Sequence, residues 1–192
     1  MHVQSVIGLQ YISIPRSEAL TVTVLETDRL ILRRLTTADA GFFLELLNDA
    51  DFLRNIGDRG VRTREDACDY ILNGPVASYD RFGFGLYLVE RKAPRAPIGI
   101  CGLIKRDALE DVDIGFAFLP QFRSRGYAME AAAAVTTHAR KDFGLHRLAA
   151  ITIPENQPSI RLLEKLGLRF ERMIRLSEED AELKLFFMDL QD

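Results

Sequence analysis

The chain has 192 residues, 47% hydrophobic and 28% charged, with a net charge of −3. The length suits one domain and the apolar fraction excludes global disorder. Basic and acidic residues are interspersed, which gives no reason to expect a nucleic-acid partner, and no run reaches the roughly 20 apolar residues that span a bilayer, so no membrane partner is expected.

Residues 1–25 read as an N-terminal extension, poorly ordered or strand-forming, and 26–192 as the domain. The apolar run over residues 3–14 has no leading Lys or Arg, contains Gln4 and Gln10 and lacks a clear small-residue cleavage site, so an extension is expected there rather than a secretory leader. Residues 29–35 alternate as a strand, with Leu30, Leu32 and Arg34 on one side, and Thr37 caps a helix to about Leu47. Residues 48–60 are polar and glycine-punctuated, which predicts a loop. Thr63 opens a second helix that Gly74 and Pro75 interrupt or end.

Beyond Gly83 the periodicity changes. Strands are expected over residues 84–90, 98–104 and 112–118, joined by short turns as an antiparallel meander. A helix over 127–143 follows, its stripe of Ala128, Ala131, Ala132, Val135 and Ala139 small enough for close packing on a sheet. The next strand, 147–153, completes a strand-helix-strand unit, whose two strands lie parallel. A short helix over 160–166 ends at Gly167, and strands over 169–176 and 183–190 finish the chain. The fold class is α/β (α+β): a mixed, mostly antiparallel sheet flanked by helices, in which only the fourth and fifth predicted strands, 112–118 and 147–153, run parallel. Cys68 and Cys101 are far apart, form no CxxC pair and have no histidine at ligand spacing. Both are expected to be reduced, buried and apolar in a cytoplasmic protein with no metal.

Chemistry concentrates in residues 119–130, between a strand and a long helix. A helix N-terminus leaves backbone N–H groups unpaired and carries partial positive charge. Gly126 permits close backbone approach, and Arg123 and Arg125 add charge, so a phosphate or pyrophosphate is the natural guest. A solvated helix-capping turn is the plainer alternative. The run is not a Walker loop, and Gly83-Phe84-Gly85 lacks the third glycine of a dinucleotide fingerprint.

Arg123-Ser124-Arg125-Gly126-Tyr127-Ala128 resembles the Q/R-x-x-G-x-G/A signature of GNAT acetyltransferases. Four stretches in order resemble the RimJ/RimL-like branch, which acetylates protein N-termini and related amines: Leu25-Glu26-Thr27-Asp28-Arg29-Leu30-Ile31-Leu32-Arg33, Asp113-Ile114-Gly115-Phe116, Arg125-Gly126-Tyr127-Ala128-Met129-Glu130-Ala131, and Asn156-Gln157-Pro158-Ser159 with Glu164-Lys165-Leu166-Gly167. Ser124 departs from the pattern, where the family often has glycine. The resemblance implies acetyl-CoA as cosubstrate and an amine acceptor, a protein N-terminus or a small amine, in a monomer or homodimer; the alternatives are an acetyltransferase of a polyamine or antibiotic and a non-catalytic acyl-CoA sensor on the same fold. It places the coenzyme pyrophosphate on backbone amides around Arg123, Ser124, Arg125, Gly126, Tyr127 and Ala128. The pantetheine arm lies along Phe116, Ala117 and Phe118 like an added strand, with Asn156 touching it or simply capping a helix.

Asp113 stands where the branch often has glutamate. It acts on the amine through water or is a hydrogen-bonded strand-edge aspartate. Ser159 meets the departing thiolate, or bonds backbone in a first helical turn. A backbone N–H near Phe116 faces the oxyanion. The acceptor amine must be neutral to attack. That costs a lysine near pKa 10.4 about 4.6 kcal/mol at pH 7, and an α-amine near 7.7–8.0 only about 1–1.4 kcal/mol. A carboxylate acting through water suffices for an α-amine. The acidic run over 178–182 is expected to be a solvated turn bordering the acceptor site, able to attract a cationic amine.

Overall fold

The computed structural model describes residues 21–190. The expectation for residues 1–20 lies outside them. The first element among the described residues is strand β1, Thr23–Glu26, which crosses the expected boundary between extension and domain. Strand β2, Leu30–Arg33, pairs with it antiparallel across a turn in which Thr27 Oγ1 accepts the Leu30 N–H at 3.1 Å. Leu30 and Leu32 enter the core as expected, with the Arg34 guanidinium 5.0 Å over the ring of Tyr79 in the same cluster, and Arg33 on the alternate side is buried as well. The Arg33 guanidinium is buried between Asp39 and Glu90, at 2.8 Å and 2.9 Å. Burial opposes its charge, and the two carboxylates outweigh that and hold its proton more tightly than usual.

Helix α1, Ala40–Leu47, follows a short turn entered at Thr36, one residue before the expected cap. The predicted loop over 48–60 contains a further helix, α2, Ala50–Asn55, because Asp49 caps it by accepting the N–H groups of Asp51 and Phe52 and because Phe52 is buried. Thr63 and Asp66 form a capping box on α3, Arg64–Ile71. Gly74 and Pro75 widen the helix into a π turn, and it resumes as α4, Ala77–Phe82, ended by Gly83.

Strands β3, Leu86–Arg91, β4, Ala96–Ile104, and β5, Asp113–Phe118, form the meander. Helix α5, Tyr127–Lys141, lays Ala131, Ala132, Val135 and Ala139 on the sheet, all at 0% exposure. Strand β6, Arg147–Thr152, then lies parallel to β5. Helix α6, Gln157–Leu166, and the antiparallel strands β7, Arg169–Ile174, and β8, Leu183–Asp189, complete the sheet in the order β1-β2-β3-β4-β5-β6-β8-β7. The parallel pair is the expected one, and β1 advances its numbering to fifth and sixth. The α5 face shares a core with Leu103, Ile114 and Phe118, and α1 and α3 cover the other face around Leu88 and Ile100. Cys101 is buried and free. Cys68 is only half-buried, against the expectation, with its thiol toward the Thr37 carbonyl.

Candidate active site

The parallel pair β5–β6 is joined only at its start. Asp113 registers with Ala149, whose N–H donates to the Val112 carbonyl at 2.9 Å, and the strands then part. Backbone groups alternate sides along a strand, so the Val112 carbonyl fixes the direction of its successors: the Phe116 N–H and C=O turn toward β6, where the ladder has ended. The opening between the strands leaves a ready edge for an extended, amide-bearing ligand.

At its wide end that opening passes the loop over residues 123–126. Ser124 has φ 58° and Gly126 φ 81°. Both lie in the left-handed region, which explains why glycine suits position 124 in the family this loop resembles. No side chain caps the N-terminus of α5, so its first-turn amides are available to an anion. Arg125 and Ser124 are exposed, and Tyr127 is buried.

Two arginines behave otherwise than the sequence suggested. Arg123 does not add free charge to the loop. Its guanidinium binds Asp49 and Asp51 at the start of α2, and its Nε donates to the Phe118 carbonyl at 2.7 Å. It ties the loop to β5 and α2. Arg29, not singled out from the sequence, braces the loop from the other side. Its Nη1 donates to the Arg125 carbonyl at 3.1 Å, its Nε to Glu130 at 2.6 Å, and its guanidinium lies 4.6 Å over the Tyr127 ring. Burial pushes the Glu130 carboxyl up, but bonds from Thr27 and Arg29 outweigh it and hold the carboxyl below its usual range.

A cavity of about 550 Å³ opens beside the narrow end of the cleft. Asp113, Phe116, Ala117, Asn156 and Ser159 all line it, so residues separated by more than forty positions in sequence meet there. Phe118 is buried and does not line it, and residues 123–128 lie beyond it. Asp113 is 1% exposed. Burial pushes its carboxyl up to about 6, although Arg106, whose Nε donates to both its oxygens at 3.1 Å and 3.2 Å, pulls the other way. Asp113 is thus a buried, hydrogen-bonded aspartate at the first position of β5, and Arg106 is a partner that sequence reasoning missed. It sits in the β4–β5 turn, and its only signal was a cation seven residues before the aspartate.

Asn156 caps α6, with its Oδ1 accepting the Ser159 N–H at 3.2 Å. That cap uses the Ser159 backbone and leaves its hydroxyl, and the Asn156 amide nitrogen, outside the bond. His138 is half-buried on α5 against Phe143, with its Nδ1 on Asp142, and does not line this cavity. The acidic run reaches the cavity only through its flanks, Leu176 and Leu183.

Residues 29–169 match the acetyltransferase (GNAT) domain model. An N-acetyltransferase of Bacillus subtilis, YnaD, is 31% identical over 145 residues, covering 76% of this chain and 82% of that one. A GNAT-family acetyltransferase from Bacillus anthracis superposes with a TM-score of 0.71 at 26% identity, covering 90% of this chain and all of that one. RimL, the ribosomal L7/L12 α-N-protein acetyltransferase in complex with coenzyme A, shares the fold with a TM-score of 0.75 at 15% identity, covering 87% of this chain and 97% of that one.

Proposed function

The chain belongs to the GNAT acetyltransferase family, and from that premise we propose that it transfers the acetyl group of acetyl-CoA to an α-amine, such as a peptide or protein N-terminus, in the manner of the RimJ/RimL-like branch. The observation that carries this reading is Asp113: a buried carboxylate, raised to about 6, at the point where β5 and β6 part and in one cavity with Asn156 and Ser159.

The coenzyme pyrophosphate rests on the amides of residues 123–128, and the pantetheine arm runs along Phe116, Ala117 and Phe118 as an added strand. The Asn156 amide nitrogen is left to meet that arm. The thioester carbonyl then lies near Phe116, with the acceptor on the Asp113 side. Asp113 takes a proton from the ammonium, directly or through one water, and the free nitrogen lone pair attacks the carbonyl carbon. The C–O π pair moves onto oxygen, facing the Phe116 N–H. It returns as the C–S bond breaks, and the coenzyme leaves as thiolate. Ser159 hydrogen-bonds that sulfur and relays it a proton, and the new amide nitrogen sheds its second proton to solvent. A carboxyl near 6 is ionised at pH 7 yet basic enough to matter, a balance suited to an α-amine.

Release of free thiol from acetyl-CoA, measured against a panel of amines, tests the reading. Peptides with free α-amines should turn over, and peptides whose only amine is a lysine side chain should lag by orders of magnitude. Preference for the lysine side chain, or no thiol release with any α-amine, would contradict it.

A further inference from the structure

The cavity around Asp113 is lined by four cationic side chains, Arg59, Arg81, Lys105 and Arg106, and by a single carboxylate, Asp113 itself. The whole chain carries −3, so this wall runs against the sign of the molecule. Cations gathered in a cleft with low-dielectric walls focus a positive potential there.

The coenzyme's phosphates do not account for these cations. The phosphate loop begins past Phe118, and five residue steps from Asp113 carry β5 about 16 Å. Lys105 and Arg106 thus stand at the opposite end of that strand. Nor do protein carboxylates absorb the charge. Lys105 Nζ donates to the carbonyls of Leu109 and Glu110 at 3.0 Å and 2.5 Å, which anchors the β4–β5 turn. Arg81 lies 4.9 Å over the Phe82 ring and Arg59 donates to the Ile56 carbonyl, and among the described residues neither pairs with an acid. Arg106 reaches Asp113 through Nε alone, and its side chain stays 30% exposed. Its Nη pair is open to a ligand. A guanidinium presented this way suits a carboxylate or phosphate, which it can bind through two parallel hydrogen bonds.

Building on the reading of Asp113 as the partner of the acceptor's amine, we propose that the acceptor also carries an oxyanion, a carboxylate or a phosphate, close to that amine, which Arg106 binds while Arg81 and Arg59 attract it from further out. Asp113 and Arg106 together recognise a dipolar acceptor. Polyamines and other cationic amines meet the wrong sign of wall.

The test uses amidated peptides of one length with a free α-amine and serine, aspartate, phosphoserine or lysine at the second position. With saturating acetyl-CoA, aspartate or phosphoserine should lower KM about 10- to 100-fold relative to serine, the scale of charge-assisted hydrogen bonds, and lysine should raise it. The order of aspartate and phosphoserine tells which oxyanion fits. Arg106→Gln should bring the acidic-to-neutral KM ratio to near one. It lowers kcat for every peptide by removing the partner of Asp113, so the ratio is the readout. Arg81→Gln should reduce the ratio with the Asp113–Arg106 pair intact. Calorimetric titration of the coenzyme-A-loaded protein with the aspartate and serine peptides needs no turnover. Equal KM and equal affinity for the two, or no binding of the aspartate peptide, overturns the anion site even where α-amines are acetylated. Tight, Arg106-dependent binding of the acidic peptide without thiol release would overturn the acetylation reading instead.

Discussion

At Asp113, burial and a guanidinium pull in opposite directions, and burial wins: the carboxyl stands near 6 against about 3.9 for an unfolded aspartate. Between those two values the folded chain keeps a proton that the unfolded chain has released, so this residue removes stability as pH rises through the window. Asparagine keeps the shape and carries no charge. Asp113→Asn should therefore stabilise the fold at pH 7 by about 1–3 kcal/mol, with melting raised by about 2–4 °C per kcal/mol, and the gain should vanish near pH 4. Thermal melts of parent and variant at both pH values check this, and a variant less stable at pH 7 would mean that the charge is structural. The position of Asp113 was legible from its place before Gly115. Its burial and its bond to Arg106 were not, because they depend on how the β4–β5 turn folds back, and that turn carries no motif.

The element that matters most is the loop from Arg123 to Gly126. Its uncapped helix start, the feature that the proposed phosphate site needs, was readable from Gly126 and the following helix. What sequence could not show is that Arg123 is spent on Asp49 and Asp51, since the helix that supplies those carboxylates, α2, is only six residues long and reads as a polar loop. Backbone geometry, not the arginine's charge, is then the loop's contribution. Gly126→Ala places a side chain at φ 81°, with its Cβ 3.3 Å from Arg29 Nη2. The left-handed strain of about 1–2 kcal/mol should cost about tenfold in acetyl-CoA affinity as the first-turn amides shift. Ser124→Gly relieves the same strain at φ 58° and should hold affinity. Calorimetry on the two folded variants decides it. A loss with Ser124→Gly, or none with Gly126→Ala, would show that the loop backbone is not the anchor.

For the molecule as a whole, the order of strands and helices was legible because periodicity changes sharply at Gly83 and again at Tyr127, and because the small-residue face of α5 suits close packing on a sheet. β1 was not delimited because its four residues carry no alternation and lie at the end of a stretch read as poorly ordered or strand-forming, and their pairing partner, β2, is what makes them a strand. The proposed acceptor side was the least legible. Its cations come from the 56–63 connection, α4 and the β4–β5 turn, and only folding collects them into one cavity. The same folding sets Asp113 beside the opening of β5 and β6, where the proposed chemistry occurs. The most direct measurement is the pH dependence of kcat/KM for acetyl transfer to an α-amine peptide, in the parent and in Asp113→Asn. The parent should rise through about pH 6 as Asp113 ionises and again near 8 as the amine loses its proton, and the variant should lack the lower step and fall about 10²–10⁴-fold, with the loss shrinking above pH 8. A loss of the same size at every pH, or a variant that keeps the lower step, would contradict the account.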